Sequence, residues 1–357
     1  MGFVRTEERR KAELEELRRI VVASAGLQRR KNNPQISSTG IDRNDEEGSL
    51  VCVTSGVSYL GLALVNRLLV RGYSVRIIVD NPEDIDKLRE METSGEMATN
   101  QKVEAVMAKL TDIQSLMKVF EGCRGVFHTS AHTDPAGLSG YTKIMAEIEV
   151  KVAENVIEAC ARTTSIRKCV FTSSLAACVW KDNAHQDPPV PVINQDSWSN
   201  ESFCTDKKLW YALGKMRAEK AAWRIAEERG LKLTTICPGL LTGPEFCRRN
   251  PTATIAYLKG AQDMYANGLL ATVDVMRLAE AQVYVFKAMN ENAFGRYICF
   301  DNEIDSQNEA EKLAKDIGMP VEKICSNPSS NSLQRLKLSN EKLGRLMSRP
   351  LRCYSYC

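Results

Sequence analysis

The chain has 357 residues, of which 43% are hydrophobic and 26% are charged, a composition typical of a soluble globular protein. Its 48 Lys and Arg residues against 45 Asp and Glu residues leave a net charge of +3, too small to indicate nucleic-acid binding. No apolar run approaches the roughly 20 residues that span a bilayer, so a membrane-spanning protein is excluded. The composition also excludes a disordered tail protein, and the length predicts one large unit or two joined domains.

The cysteines and histidines indicate neither disulfides nor a metal site. The 12 cysteines are scattered without a Cys-x-x-Cys pair or a signal peptide, which predicts reduced thiols in a cytoplasmic protein. The three histidines, His128, His132 and His185, lack the spacing of zinc ligands and are interpreted as hydrogen-bonded or solvated side chains. A metal centre and a Ser-His-Asp relay are therefore not expected.

Residues 1–48 differ in character from the rest of the chain. Between residues 6 and 25 the apolar side chains recur at helical spacing, which predicts one amphipathic helix: Leu14, Leu17, Ile20 and Val21. The polar stretch that follows, residues 28–48, is interpreted as a linker. The helix either has a solvated or packing face or binds a protein partner, and its amphipathic pattern is compatible with both.

From residue 50 onward, short β-branched runs alternate with longer helical patterns. Strands are predicted at residues 50–54, 74–79, 103–107, 125–129, 168–172 and 233–237. Helices are predicted at residues 61–71, 84–93, 113–120, 143–162 and 206–229. This alternation predicts right-handed βαβ units and a doubly wound α/β fold with a parallel sheet, whose ligand crevice lies at the carboxyl ends of the strands.

The pattern becomes irregular after Pro244. Helical stretches at residues 252–264 and 275–290 surround a short strand at 296–300, which predicts a smaller lobe that binds the substrate and closes over the crevice. The predicted organisation is an N-terminal segment (1–48), a dinucleotide-binding domain (49–244) and a C-terminal substrate lobe (245–357), with interleaved contributions.

The first strand-to-helix turn lies where a dinucleotide-binding fold holds the pyrophosphate. Of the three glycine positions in such a turn, only the last, Gly61, is a glycine; Ser55 and Ser58 occupy the other two. The serine hydroxyls are interpreted as phosphate donors beside the helix amides, and a plain strand-to-helix turn is the alternative. The predicted cofactor-binding residues here are Ser55, Gly56, Ser58, Tyr59, Leu60 and Gly61.

Asp80 follows the second predicted strand, some 20 positions beyond the first turn. An acidic residue there holds the adenosine ribose diol and repels the 2′-phosphate of NADP, so Asp80 favours NAD. In the alternative interpretation Asp80 caps the turn before the next helix. Arg76 and Lys87 lie near it in sequence and are candidates to neutralise a phosphate.

Tyr211 and Lys215 form the most informative pair. Their spacing of four places the phenol and the ammonium on one helical face, where the positive charge is expected to lower the tyrosine pKa towards working pH. Ser174 ends a predicted parallel strand, so its hydroxyl is expected in the same crevice. The three side chains supply a hydroxyl to hold a carbonyl oxygen, a phenol to give the proton and an ammonium to tune the phenol.

With these motifs the chain resembles the extended short-chain dehydrogenase/reductase family, in its plant cinnamoyl-CoA reductase and dihydroflavonol reductase branch. The resemblance covers residues 50–347 and includes ordered matches at 122–128 (GCRGVFH), 170–174 (VFTSS), 215–223 (KMRAEKAAW), 238–244 (PGLLTGP), 295–299 (GRYIC) and 339–343 (SNEKL). It implies a Rossmann fold, a catalytic set of Ser174, Tyr211 and Lys215, the segment from Pro238 beside the nicotinamide, and Leu110 among the cofactor contacts.

The chain also departs from that branch at specific positions. Residues 209–215 read LWYALGK where cinnamoyl-CoA reductases carry NWYCYGK, and Lys109 stands where an Asp usually precedes the leucine. Asp80 takes the place of the arginine that binds the NADP phosphate in those reductases. Ser55 and Ser58 in the first turn are two further departures. These changes resemble a cinnamoyl-CoA reductase-like group that includes proteins linked to lignin and plant defence.

Two functions are compatible with these residues. The first is an oxidoreductase of phenylpropanoid metabolism that uses NADP or NAD to reduce a small-molecule carbonyl or acyl-CoA thioester. The intact set of Ser174, Tyr211 and Lys215 favours this function. The second is a non-catalytic nucleotide-binding or interaction protein on the same fold, for which the altered first turn and the N-terminal helix argue.

Overall fold

The computed structural model describes residues 49–93, 103–129, 141–181, 191–325 and 335–348. The predicted N-terminal helix and linker, together with His132 and His185, lie outside the described residues. All described residues belong to the larger of the two structural units of the chain, residues 44–354.

The strands of the described residues are β1 (Leu50–Val53), β2 (Ser74–Val79), β3 (Val103–Met107), β4 (Gly125–His128), β5 (Lys168–Thr172), β6 (Val192–Ile193), β7 (Lys232–Pro238), β8 (Leu240–Thr242), β9 (Ala271–Asp274), β10 (Gly295–Cys299), β11 (Asn302–Glu303) and β12 (Lys337–Leu338). Seven of them form a central sheet in the order β10-β7-β5-β4-β1-β2-β3, with every neighbouring pair parallel. The order reverses direction at β1, so the predicted doubly wound parallel sheet is confirmed.

The helices are α1 (Tyr59–Val70), α2 (Pro82–Thr93), α3 (Ile113–Phe120), α4 (Lys143–Arg162), α5 (Ala176–Val179), α6 (Glu201–Asp206), α7 (Trp210–Arg229), α8 (Phe246–Arg249), α9 (Pro251–Tyr257), α10 (Ala261–Ala266), α11 (Val275–Ala288), α12 (Gln307–Ile317) and α13 (Glu341–Met347). No helix of the described residues is long and apolar enough to cross a membrane.

Two predicted helices are each divided in the structure. The helix predicted at 206–229 begins at Trp210, because Lys208 adopts a left-handed φ of 53° between α6 and α7. The helix predicted at 252–264 is α9 and α10, separated at Gly260, whose φ is +88°. A Cβ at Gly260 would press on the Trp180 ring, so this position requires glycine for both backbone and packing reasons.

The core lies on both faces of the central sheet, because successive side chains of a strand alternate between the faces. In β1, Val51 and Val53 pack into one apolar cluster with α1 and α11, whereas Cys52 packs into the other. The second cluster contains residues of α3, α4 and α7. Helices on both faces therefore bury all sides of the inner strands, and the carboxyl ends remain as the open edge.

Residues beyond 244 contribute to the central sheet and to the structures at its open edge. β10 pairs with β7 in the central sheet, and β9 pairs with β8 and β11 in a separate small sheet. Strands from before and after the predicted boundary at residue 244 thus pair within the same sheets. The division into domains stays a prediction.

Candidate active site

A crevice opens at the carboxyl ends of β1, β4, β5 and β7. It is lined by the segments that follow these strands and by α7 and α9. The predicted site residues that line it are Ser58, Tyr59, Leu60, Ser174, Tyr211, Lys215 and Pro238. The fold therefore brings the predicted catalytic set and part of the first turn to one place.

Ser174, Tyr211 and Lys215 lie close together in this crevice. Ser174 follows β5 and is 1% exposed, and its side chain lies near enough to Tyr211 to act on the pKa of the phenol. One turn along α7 from Tyr211, the Lys215 Nζ lies 5.8 Å from the centre of the Tyr211 ring. The spacing of four in the sequence thus gives the shared helical face that was predicted.

Behind these residues lies a buried ion pair that the sequence analysis did not foresee. The Lys215 Nζ is 2.5 Å from Oε1 of Glu149 on α4, and each residue is 3% exposed. The other carboxylate oxygen of Glu149 accepts a hydrogen bond from the Tyr141 hydroxyl. The Tyr141 ring packs edge-to-face against Tyr211, with ring centres 5.3 Å apart. The lysine is consequently held from behind by a carboxylate.

This arrangement reverses the expected direction of the tyrosine pKa. Burial raises the pKa of Tyr211 above its ordinary value, and the Glu149 carboxylate also raises it, against the opposing effects of Lys215 and Ser174. Burial lowers the pKa of Lys215, but Glu149 and Tyr211 outweigh it and the net shift is upward. The prediction of a lowered tyrosine pKa is wrong, because burial and Glu149 together outweigh the effect of the lysine charge.

The first turn closes on itself through Ser58. Its Oγ accepts the Gly61 amide hydrogen at 3.0 Å and donates to the Ser55 carbonyl at 2.7 Å, so Ser58 is the N-cap of α1. A Cβ at Gly61 would overlap the Ser55 carbonyl, and one at Gly56 would overlap the Ile77 side chain. Both glycines are required for the close approach of turn, helix and β2. The Ser58 hydroxyl, interpreted as a phosphate donor, is here used within the turn.

The crevice also contains a polar atom suited to a ligand. Thr129 follows β4, and its Oγ1 is buried without a hydrogen-bond partner among the described residues. Buried hydroxyls are almost always paired, so a group that supplies a partner fits this position. Together with the α1 N-terminus, whose amides suit an anion, Thr129 makes the crevice compatible with a dinucleotide.

Asp80 lies at the carboxyl end of β2 with an exposed side chain. The Asp84 amide of α2 donates at 2.9 Å to Oδ1 of Asn81, so Asn81 performs the capping that was the alternative interpretation of Asp80. Arg76 is not available for a phosphate, because its guanidinium contacts Glu104 and the Val119 carbonyl. The side chain of Lys87 lies outside the described part of the structure.

Leu110 follows β3 and is not among the residues that line the crevice. Its side chain packs against the apolar cluster under α3 and α4, and its carbonyl accepts a long hydrogen bond of 3.4 Å from Asn155. Leu110 is therefore at the correct edge of the sheet, while the part it takes in cofactor binding stays a prediction.

His128 has the structural role that was interpreted from the sequence. It is 1% exposed, and its Nδ1 lies 3.0 Å from Oγ1 of Thr54. Burial, with a smaller effect of the Lys215 charge, lowers the pKa of His128 to about 3. This histidine is neutral at physiological pH and acts as a hydrogen-bonded core residue.

Comparison with known proteins agrees with this architecture. Residues 51–283 match the NAD dependent epimerase/dehydratase family. The chain belongs to this family. It is 36% identical over 305 residues to cinnamoyl-CoA reductase 1 of Petunia hybrida, which covers 83% of this chain and 86% of the relative. It is 30% identical over 286 residues to tetraketide alpha-pyrone reductase 1 of Arabidopsis thaliana, covering 78% and 85%.

The chain is also similar to solved structures of the same fold. Vestitone reductase from alfalfa superposes with a TM-score of 0.61 at 23% identity, over 86% of this chain and 94% of that one. The yeast methylglyoxal/isovaleraldehyde reductase complexed with NADPH has a TM-score of 0.63 at 20% identity, over 85% and 94%. The predicted fold, the family and the assignment as an NAD(P)-dependent reductase are confirmed.

Glu149, Tyr141 and Thr129 are site residues that sequence reasoning missed. Glu149 shares the buried face of α4 with an apolar stripe, and this carboxylate inside the stripe was the available signal: Met145, Ala146, Val152, Ala153 and Val156. A charged residue at a core position indicates a buried partner, and that partner is identifiable only when the packing of α4 on α7 is known.

Proposed function

We propose that this reductase acts on the carbonyl carbon of an aromatic acyl-CoA thioester or of the corresponding aldehyde, with Tyr211 as the proton donor. The observation that carries the proposal is the cluster of Ser174, Tyr211 and Lys215 in the crevice. Bound NAD(P)H supplies the hydride for this chemistry.

Each side chain of the cluster has a distinct role in this proposal. The Ser174 hydroxyl binds the substrate oxygen and holds it beside the phenol. Tyr211 donates its proton to that oxygen as negative charge develops there. With an acyl-CoA thioester the product of this step is a hemithioacetal. Its C–S bond then breaks, the hydroxyl proton passes to the sulfur, CoA leaves as the thiol and the aldehyde remains. The Lys215 ammonium stabilises the phenolate that remains, at a distance where its charge is little screened in a buried site.

The cofactor contacts are proposed from the same crevice. The turn from Ser55 to Gly61, including Gly56, Ser58, Tyr59 and Leu60, receives the diphosphate at the N-terminus of α1. Asp80 accepts the ribose hydroxyls and favours NAD, Leu110 approaches the adenine, and Pro238 lies beside the nicotinamide. Asn81 fills the capping position, which leaves the Asp80 carboxylate in reach of solvent for this role.

A second cavity, of about 460 Å³, adjoins Tyr211 and suits an aromatic acyl group. Its wall includes the Tyr141 ring and the apolar side chains of Ala256, Leu258 and Met319. Exposed Lys259 and Lys323 also border it, and their charge is complementary to the phosphates of a CoA thioester. The names of the curated relatives, cinnamoyl-CoA reductase among them, support the same substrate class.

The test combines cofactor binding with turnover. Calorimetric titration with NADPH and NADH should show saturable micromolar binding, and hydroxycinnamoyl-CoA esters should then oxidise the reduced cofactor. Tyr211→Phe should abolish turnover while cofactor affinity is retained, and Tyr265→Phe, at a ring outside both cavities, should behave as wild type. Binding absent up to millimolar cofactor, or full activity of Tyr211→Phe, would overturn the proposal and favour the non-catalytic alternative.

Two further proposals rest on the sequence alone. From the cysteines, which the sequence predicts to be reduced, we infer a cytoplasmic location. We also infer that the helix predicted from the sequence near the N-terminus binds a protein partner. Fractionation of tagged protein tests the first. For the second, deletion of residues 1–48 should abolish an association that the full chain shows in cross-linking, and an unchanged set of cross-linked partners would refute it.

A further inference from the structure

Glu149 is a buried acid next to the proposed proton donor, and the reaction as described has no task for it. It lies on α4 in an otherwise apolar helical face, and its side chain is 4% exposed. A carboxylate buried to this degree is costly unless it is paired and hydrogen-bonded. Glu149 meets both conditions, with Lys215 on one oxygen and the Tyr141 hydroxyl on the other.

In the ion pair of Glu149 and Lys215, only the lysine faces the crevice. Lys215 lines the crevice together with Ser174 and Tyr211, whereas Glu149 is not among its lining residues. Glu149 therefore holds the ammonium from behind, and Tyr141, which borders the adjoining cavity, fixes the carboxylate. A flexible lysine that is held this way loses most of its rotamer freedom before any ligand arrives.

We propose that Glu149 is a positioning residue that fixes the Lys215 ammonium and sets the pH at which the Tyr211 phenol exchanges its proton. The inference rests on the proposed role of Tyr211. Through this one carboxylate, α4 controls the protonation of a side chain on α7.

The ionisable groups that act on this cluster within the described residues come from several elements: Tyr141 before α4, Tyr211, Lys215 and Glu219 on α7, His128 on β4 and Tyr257 on α9. His128 is neutral because its pKa is about 3, and burial raises the pKa of Tyr141 well above its ordinary value. Glu219 is paired with Arg296. The charges that remain to be balanced near Tyr211 are those of Lys215 and Glu149.

Removal of the Glu149 charge changes the titration in one direction. Tyr211 and Lys215 together lose one proton as the pH rises, and this step has a single apparent pKa that belongs to the pair. With Glu149 present, loss of that proton leaves a cluster with a net negative charge, whereas in the Glu149→Gln variant it leaves a neutral cluster. The step therefore occurs at lower pH in the variant, whichever of the two groups holds the remaining proton.

The experiment is the pH profile of kcat for the oxidation of a hydroxycinnamyl alcohol with NAD(P)⁺ as the oxidant, which is the reverse of the proposed aldehyde reduction. This direction needs the phenolate, so kcat rises as the pair loses its proton. Glu149→Gln should move this rise to lower pH by about one unit or more. Glu158→Gln is the matched control, because Glu158 also lies on α4 and pairs with Arg229 of α7, but at the surface. A rise that stays at the wild-type pH, or moves upward, in Glu149→Gln would overturn the proposal.

A second variant keeps the proposal testable if Glu149→Gln does not fold. Glu149→Asp preserves the charge but shortens the reach to Lys215, so the rise should stay near the wild-type pH while kcat falls several-fold. An unchanged kcat would show that Lys215 needs no positioning from α4. Wild-type turnover, and its loss in Tyr211→Phe, are measured in parallel, so failure of the proposed function is recognised separately from failure of this inference.

Discussion

Ser58 caps helix α1 through the amide of Gly61, with the hydroxyl oxygen 3.0 Å from the Gly61 nitrogen. The same hydroxyl donates to the Ser55 carbonyl, so the turn is closed by its own side chain. In a dinucleotide-binding turn the amides at this helix end face the diphosphate. Ser58 therefore competes with the cofactor for the Gly61 amide hydrogen, which it binds as the N-cap of α1.

We expect Ser58→Gly to bind NADPH or NADH several-fold more tightly than wild type. The substitution removes the Cβ and the hydroxyl from the diphosphate position and returns the Gly61 amide to the ligand, while a glycine cap costs only a few tenths of a kcal/mol. Calorimetric titration measures the effect. Ser58→Ala is the control, since it keeps the Cβ and loses the cap; weaker binding by the glycine variant would contradict the competition.

Asp80→Arg should reverse the cofactor preference. The carboxylate at the end of β2 is proposed to accept the ribose hydroxyls of NADH and to repel the 2′-phosphate of NADPH, and an arginine inverts both effects. The expected change in the ratio of dissociation constants is about tenfold or more. Glu83→Arg, the same charge change at an exposed site in the first turn of α2, should leave the ratio unaltered. An unaltered ratio in Asp80→Arg itself would refute the assignment.

Glu219→Ala should be strongly destabilising. The Glu219 carboxylate is fully buried, lies 2.8 Å from the Arg296 Nε, and accepts hydrogen bonds from Ser173 and Thr235. Loss of one partner of a buried pair leaves the other charge unpaired, at a cost of about 3–5 kcal/mol. Denaturant unfolding measures this. Glu201→Ala, which breaks a surface pair with Arg217, should cost about 0–1 kcal/mol, and equal losses in the two variants would contradict the expectation.

His128 should make the fold sensitive to mild acid. Its pKa is about 3 in the folded protein because it is buried, whereas in the unfolded chain it is about 6.5, so below pH 6.5 the unfolded state binds the extra proton. The free energy of unfolding should therefore fall by about 2 kcal/mol from this group between pH 6.5 and pH 5. His128→Gln should show a shallower pH dependence in the same denaturant titration. Parallel pH dependences would show that His128 becomes protonated without unfolding.

The strands and the position of the crevice were predictable from local patterns. The β-branched runs at residues 50–54 and 168–172 correspond to β1 and β5 within one residue, because strands covered on both faces need continuous apolar sequence. The breaks at Lys208 and Gly260 were missed, since a single left-handed residue interrupts a helix without disturbing its apolar spacing.

By itself the sequence determined the alternation of strands and helices and, through the spacing of four, the shared face of Tyr211 and Lys215, because both depend on chemistry between near neighbours. Only the tertiary structure decided the electrostatics of that pair. Glu149 lies more than sixty positions before Lys215 and meets it through the packing of α4 on α7. Burial of the phenol, together with this distant carboxylate, then reverses the direction of the Tyr211 pKa shift.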